Sequence, residues 1–174
     1  TGTGKGKTTA ALGLMLRAAG AGLSVLLVQF LKRAEYSEHE ALKLLGDRVT
    51  VRTFGGERRI GAPATDEDRK LAREGLAFLE TALASGTYDL VVADEIVVAA
   101  HIGLLLEEEI LALLDVRPPS VELVLTGRYA WEELMERATL SPRCKRSATT
   151  SRRAFPPGEE SKNDTSAYRD RRNQ

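Results

Sequence analysis

The sequence has little sulfur, few aromatic residues and no excess of charge of either sign. Cys144 is the only cysteine among 174 residues, so no disulfide can form within the chain, and a reducing compartment is its natural setting. Lys and Arg number 25, as do Asp and Glu, so no net charge favours nucleic acid or an anionic membrane. No signal peptide and no apolar run long enough to span a bilayer is recognisable. We therefore expect a cytoplasmic protein that binds neither nucleic acid nor membranes.

Strand and helix patterns alternate along the first 140 residues. Four short runs predict strands, and three of them are mainly apolar, as in strands buried on both faces. The runs lie at residues 25–30, 49–54, 90–93 and 121–125. Helical patterns at residues 8–19, 37–45, 66–85, 107–114 and 131–138 surround them. This alternation predicts an α/β fold with a parallel sheet and helices on both of its faces.

A stretch rich in glycine and lysine opens the sequence and ends in Gly6-Lys7-Thr8. Its glycines allow backbone amides to approach phosphate oxygens, and the following helix directs its positive end at the same anion. This pattern is typical of a P-loop, in which the lysine meets the outer phosphates and the hydroxyl binds Mg²⁺. A P-loop normally follows a strand, so we expect the first core strand to lie outside this sequence. The predicted nucleotide-binding residues are Gly2, Thr3, Gly4, Lys5, Gly6, Lys7, Thr8 and Thr9.

Charged residues follow two of the later predicted strands. Asp94 and Glu95 come directly after residues 90–93, and Arg128 follows residues 121–125. Ligands of open α/β sheets bind beyond the carboxyl ends of the strands, and an acid there lies beside the Mg²⁺ of a P-loop. We therefore predict Thr8, Asp94 and Glu95 as metal ligands and Arg128 as a contact to phosphate or substrate. The alternatives are ordinary turn acids and a surface arginine.

Several segments resemble the P-loop class of ATP:cob(I)alamin adenosyltransferases, in the right order from Thr1 to about residue 140. The doubled Gly-Lys before two threonines, with Gln-Phe-Leu-Lys downstream, is quite specific to this family. The segments are the opening Thr-Gly-Thr-Gly-Lys-Gly-Lys-Thr-Thr, Leu16-Arg17-Ala18-Ala19-Gly20, Val28-Gln29-Phe30-Leu31-Lys32, residues 89–96 and the Leu-Thr-Gly-Arg of residues 125–128.

The resemblance implies a P-loop NTPase-like (RecA-like) fold and a specific reaction. The 5′-deoxyadenosyl group of ATP would pass to the Co(I) centre of a reduced corrinoid, with release of triphosphate, in adenosylcobalamin synthesis or salvage. Lys7 and Glu95 would be catalytic, Arg17 a further cofactor-binding residue and Mg²⁺ the cofactor. The family also implies a flavoprotein reductant and a homodimer. Two other functions stay open: a P-loop ATPase or kinase in which Glu95 polarises water or a hydroxyl, and an inactive fragment that binds nucleotide or corrinoid.

The pattern breaks at Leu140. Residues 141–174 are rich in Arg, Ser, Pro and Lys with almost no apolar periodicity, which is typical of a disordered basic tail. Permitted codons for this stretch, read two bases further on, can encode TEMQEVRHYF, which is similar to the C-terminal segment of the same family. We therefore predict an adenosyltransferase domain at 1–140 and a tail at 141–174 that results from a one-base loss. The alternative is a genuine basic tail.

Overall fold

The computed structural model describes residues 1–32, 36–56 and 63–145 of the chain. The strands are β1 (Val25–Phe30), β2 (Val49–Phe54), β3 (Leu90–Asp94) and β4 (Glu122–Leu125). The helices are α1 (Lys7–Gly20), α2 (Ser37–Lys43), α3 (Asp66–Ser85), α4 (Ile96–His101), α5 (Glu107–Val116) and α6 (Glu132–Arg137). One of these helices, α4, was not predicted, because its six residues are too few to show a helical period.

The four strands form one sheet in which all pairs are parallel, in the order β2-β1-β3-β4. The predicted α/β architecture with a parallel sheet is therefore confirmed. In the register of β1 and β3, Gln29 lies opposite Asp94 at the carboxyl end of both strands. This pairing brings a polar residue of each strand to the same point of the sheet edge.

Two apolar layers cover the sheet, one on each face. Ala11 and Met15 of α1 pack with Val25, Leu27 and Val92 on one face. The other face carries alternate residues of the same strands, which pack against α3, α4 and α5; these strand residues are Leu26, Val28, Phe30, Val91 and Ala93. Successive side chains of a strand point to opposite faces, so runs such as 25–28 must be apolar throughout. Burial on both faces fixes the strands that carry the site.

The longest helix begins where the sequence predicts. The Thr65 hydroxyl accepts from the Asp68 N–H at 3.1 Å, and the Asp68 carboxylate accepts from the Thr65 N–H at 2.9 Å. This capping box satisfies two amides that a helix start leaves without partners. Within the described parts of the chain, no helix combines the length and apolar character needed to cross a membrane.

Residues 141–145 form no regular element, yet they lie against the start of the chain. The Cys144 N–H donates to the Thr1 carbonyl and the Gly4 N–H donates to the Cys144 carbonyl, both at 2.7 Å. Backbone groups make these contacts, so they need no apolar side chains. These hydrogen bonds thus continue four residues past the predicted domain boundary. Residues 146–174, which hold the rest of the predicted tail, lie outside the described residues.

Candidate active site

Backbone strain collects where three strands end. Leu31, Glu95 and Tyr129 have φ angles of 60°, 62° and 68°, and in the described parts of the chain they are the non-glycine residues with positive φ. They follow β1, β3 and β4, respectively. Such conformations cost energy for residues with a side chain and occur often at ligand-binding sites. The carboxyl edge of the sheet is therefore the place to search for a site.

The glycine-rich loop meets this edge from one side. Gly6 has a φ of 103° and immediately precedes α1, which begins at Lys7. The Lys7 ammonium folds back over the loop and donates to the carbonyls of Gly2 at 2.8 Å and Gly4 at 2.7 Å. The predicted phosphate-binding lysine thus lies over the loop and is held there by neutral acceptors.

Asp94 is the centre of the polar network on the other side of the edge. Its side chain is fully buried, and its two oxygens contact four side chains. The Thr126 hydroxyl donates to Oδ1 at 2.6 Å, and the Thr8 hydroxyl lies 3.0 Å from Oδ1 and 3.3 Å from Oδ2. Gln29 Nε2 donates to Oδ2 at 3.0 Å and Lys32 Nζ at 2.8 Å. This arrangement joins the helix after the loop to three strand ends.

The network holds Asp94 in its ionised form. Burial acts to raise the pKa of this carboxyl, but the Lys32 ammonium and the hydrogen bonds from Thr126 and Gln29 outweigh it, so the pKa is lowered. A buried carboxylate that stays charged is a strong site for a cation.

Glu95, the next residue, has the opposite electrostatics. Burial, followed by the negative charge of Asp94, raises the pKa of its carboxyl, and three cations act against this shift. These cations are Lys32, Lys7 and Arg128. No hydrogen bond to the Glu95 carboxylate is found among the described residues. The predicted site residues Lys7, Glu95 and Arg128 therefore lie within electrostatic reach of one another.

Thr126 fixes the two acids relative to each other. Its hydroxyl donates to Asp94 and accepts from the Glu95 N–H at 3.0 Å. Gly127 follows with a φ of 145°, and a Cβ there would lie 2.7 Å from the Cβ of Val97. Only glycine fits this close approach of the β4 end to α4. In the Thr-Gly-Arg segment, the sequence-based prediction selected the exposed Arg128 and missed the buried threonine.

A second layer supports Asp94 through Gln29. The side-chain oxygen of Gln29, Oε1, is in short contact with Nε2 of His39 in α2. The other ring nitrogen of His39, Nδ1, accepts from the Tyr36 N–H at 3.4 Å. Because Nδ1 is an acceptor, Nε2 carries the proton and donates to Gln29. This orientation leaves the Gln29 amide group facing Asp94. A single glutamine inside an apolar strand is the signal in the sequence that marks this position.

Other predicted site residues are not brought into the network. Arg17 is exposed on α1, ten residues after Lys7, which places it about 15 Å further along the helix axis. Thr3, Lys5 and Thr9 are exposed, and their side chains have no hydrogen bond to other described residues. Their contacts to a ligand stay predictions.

The donor atoms of this site suit Mg²⁺. The Thr8 hydroxyl and the carboxylates of Asp94 and Glu95 are oxygen ligands, which this hard cation prefers. In the described part of the chain, no cluster of three or more His, Cys, Asp or Glu residues could hold a metal ion. Mg²⁺ typically uses one or two carboxylates and completes its shell with water and phosphate oxygens, so the pair fits.

Taken together, fold and site define a parallel α/β protein in which a loop suited to an anion adjoins acids suited to a cation. Comparison with known families identifies the group: residues 1–151 match the family model described as ATP:corrinoid adenosyltransferase BtuR/CobO/CobP. The chain belongs to this family. The family assignment made from the sequence, which makes the chain a transferase, is therefore confirmed.

Individual proteins agree with this assignment. A corrinoid adenosyltransferase of Pseudomonas aeruginosa is 33% identical over 141 residues, covering 79% of this chain and 68% of that protein. A protein of the same description from Escherichia coli K12 is 31% identical over 145 residues, covering 79% and 70%. An uncharacterized protein of Nostoc sp. is 37% identical over 158 residues, covering 83% of this chain but 42% of that protein. The chain therefore spans less than half of the Nostoc protein.

Proposed function

We propose that the chain transfers the 5′-deoxyadenosyl group of ATP to the Co(I) centre of a reduced corrinoid. A bond forms between cobalt and the C5′ carbon, the bond from C5′ to its phosphate oxygen breaks, and triphosphate leaves with the electron pair. Cobalt of the corrinoid substrate is the nucleophile and ends as Co(III), so the protein needs no nucleophile of its own. Its task is to orient ATP and to stabilise the charge of the leaving triphosphate.

One observation carries this proposal. The Thr8 hydroxyl lies 3.0 Å from the Asp94 carboxylate, which joins the glycine-rich loop to the acidic strand end in a member of the adenosyltransferase family. Lys7 would move from its two carbonyl acceptors to the triphosphate, because a charged phosphate is a stronger acceptor than a carbonyl. Arg128 would add a second cation from the end of β4.

The metal site has a defined part in this scheme. Thr8, Asp94 and Glu95 would hold Mg²⁺, which supplies Lewis-acid neutralisation of the triphosphate when bound. The Asp94 carboxylate is ionised and is held by Thr126 and Gln29, so its oxygens would meet the cation in their present position. A divalent cation would also favour the ionised form of Glu95, whose pKa is raised in its absence.

The family resemblance supports the finer features of the proposal. We place the fold in the P-loop NTPase-like (RecA-like) class and the enzyme in the cytoplasm, in adenosylcobalamin synthesis or salvage. Co(I) requires an electron donor, so we propose a flavoprotein reductant, and a homodimer as the working form. The adenosyltransferase domain comprises residues 1–140, and the basic tail at 141–174 is proposed to result from a one-base loss.

Product analysis tests this function directly. The full chain is incubated with ATP, Mg²⁺ and chemically reduced cobalamin, and the corrinoid and the phosphate products are separated by chromatography. We expect adenosylated corrinoid and triphosphate in equal amounts, and neither product without the corrinoid. Release of orthophosphate without corrinoid would instead identify an ATPase. Binding of both substrates without transfer would identify an inactive binding protein.

The Lys7→Ala variant tests whether the glycine-rich loop binds the phosphates of ATP. The substitution removes the cation that faces the phosphates, so transfer should fall at least about 100-fold. Lys70→Ala removes a surface lysine of α3, whose side chain is 67% exposed, and should change nothing. Equal rates in the two variants would contradict the P-loop assignment.

A further inference from the structure

Lys32 is a charged residue at the site whose role the proposed reaction does not yet explain. It lies two residues after β1, and its ammonium is 2.8 Å from Oδ2 of Asp94. Two weaker contacts hold the side chain near this position: Glu38 Oε1 at 3.8 Å and the ring of Tyr36, whose centre is 5.8 Å from Nζ. Its side chain is 19% exposed. Among the described residues, no other cation forms an ion pair with Asp94.

The position of this ammonium conflicts with a metal ion at Asp94. The Thr8 hydroxyl and the Lys32 ammonium contact the same oxygen, Oδ2, at 3.3 Å and 2.8 Å. A divalent cation held between Thr8 and Asp94 would therefore lie next to a positive charge. Two cations that close together repel strongly in a partly buried site. One of them has to move.

The geometry points to Lys32 as the group that moves, and we propose that it is the exchangeable internal cation of the magnesium site. Before ligands bind, Lys32 neutralises the buried Asp94 carboxylate. When Mg²⁺ binds at Asp94, the ammonium transfers to the triphosphate, which Thr8 and Lys7 bring to the same edge. This inference rests on the proposed function, because it assigns a triphosphate ligand to that site. It adds Lys32 to the residues that contact the substrate and gives the site a built-in penalty against metal that arrives alone.

If Lys32 exchanges between Asp94 and the triphosphate, one substitution of Lys32 should raise the affinity for metal alone and lower the affinity for phosphate. Lys32→Met removes the competing charge, so Mn²⁺ without nucleotide, titrated by electron paramagnetic resonance, should bind at least about tenfold more tightly than to the wild type. The same variant should bind tripolyphosphate in the presence of Mg²⁺ about tenfold more weakly by calorimetry, because one phosphate contact is lost. A lysine with a purely structural role would not raise the affinity for Mn²⁺.

Two control variants separate the effect of the Lys32 charge from the effect of its position. Lys32→Arg retains the charge and should bind Mn²⁺ as weakly as the wild type does. Lys43→Met changes the charge equally on the surface of α2, where the side chain is 69% exposed, and should alter neither affinity. If Lys32→Met does not fold, Lys32→Gln keeps a donor to Asp94 without the charge and replaces it.

The two binding measurements test the exchange of Lys32 independently of adenosyl transfer. Unchanged or weaker Mn²⁺ binding in the uncharged variant would overturn the competition with metal. Unchanged binding of Mg²⁺ and tripolyphosphate would overturn the transfer to phosphate. The Mn²⁺ titration uses neither ATP nor corrinoid. Its result therefore tests the competition between Lys32 and metal even if the chain fails to transfer the adenosyl group.

Discussion

The site has an inner half that is fixed by hydrogen bonds and an outer half whose charged groups face no strong partner. We define the inner half as Thr8, Gln29, Asp94 and Thr126, and the outer half as Lys7, Glu95 and Arg128. Lys32 belongs to neither half, because it is the cation proposed to exchange between them. Each oxygen of Asp94 contacts more than one side chain, whereas Lys7 contacts two neutral carbonyls and Arg128 is exposed. Asp94 and Glu95 are adjacent in sequence, yet their pKa values shift in opposite directions.

The contrast between a fixed inner half and an outer half without strong partners matches two requirements of the proposed reaction, metal binding and phosphate binding. A cation site must be organised before the ligand arrives, because reorganising buried charges during the reaction would cost energy. Phosphate-binding groups, by contrast, must be available to exchange their partners. The inner half should therefore contribute to both stability and activity, and the outer half chiefly to activity. Substitutions in each half test this division.

Asp94→Asn should have the largest effect. The amide would present N–H groups to donors and leave the Lys32 ammonium without its carboxylate, so the free energy of unfolding should fall by about 3 kcal/mol. Adenosyl transfer should fall at least about 100-fold. Urea denaturation and the product assay measure the two losses. Asp115→Asn is the control, because Asp115 is 66% exposed and pairs with Arg137 at the surface. A variant as stable as the wild type would show that the inner half is not a structural unit.

Glu95→Gln should separate activity from stability. Mg²⁺ affinity should fall about tenfold, and the rate with it, while the fold survives. Glu95 has a raised pKa, so its contribution to stability is full at low pH and is lost as the pH rises through that pKa. Glutamine resembles the protonated form and avoids this loss. Relative to the wild type, the variant should thus gain stability as the pH rises.

The stabilising contribution of Asp94 should depend on pH in the opposite way. Its pKa is lowered, so its contribution is present above the pKa of the unfolded chain and is lost as the pH falls through the folded value. Urea denaturation across acidic to neutral pH should show the two contributions with opposite slopes. Glu108→Gln, on the exposed surface of α5, should follow the wild type at every pH. A Glu95→Gln variant that loses stability as the pH rises would make Glu95 a structural residue.

Much of the fold was predictable from the sequence, but the centre of the site was not. Strands β1 and β2 begin and end at the predicted residues, because apolar runs between turn signals mark buried strands well. The loop and both acids were also assigned to the candidate site by their spacing, and the structure brings Thr8 of the following helix to Asp94. Gln29, Lys32 and Thr126 were missed as site residues. Gln29 is marked in the sequence only as a polar residue within an apolar strand, and the importance of Lys32 and Thr126 comes from the strand ends that meet at Asp94. A sequence shows which residues end each strand, and only the sheet order shows which of those ends meet.

Removal of the tail should have the smallest effect and tests the boundary at residue 140. Residues 146–174 contain few large apolar side chains, mainly Phe155 and Tyr168, and burying each would contribute about 1.5–3 kcal/mol. Ordering the segment would cost roughly 1–2 kcal/mol for every residue, which exceeds that contribution by a wide margin. A chain that ends at Lys145 should therefore unfold at the same temperature as the full chain. A chain that ends at Leu140 loses three hydrogen bonds to Thr1 and Gly4, worth about 1 kcal/mol each, and should be less stable. Replacing residues 141–174 by those of the alternative reading should give the most stable chain of the series, because that segment has apolar side chains to bury. Scanning calorimetry of the four chains measures their unfolding temperatures. A marked fall in the unfolding temperature on ending the chain at Lys145 would mean that residues 146–174 pack against the domain and are not the product of a one-base loss.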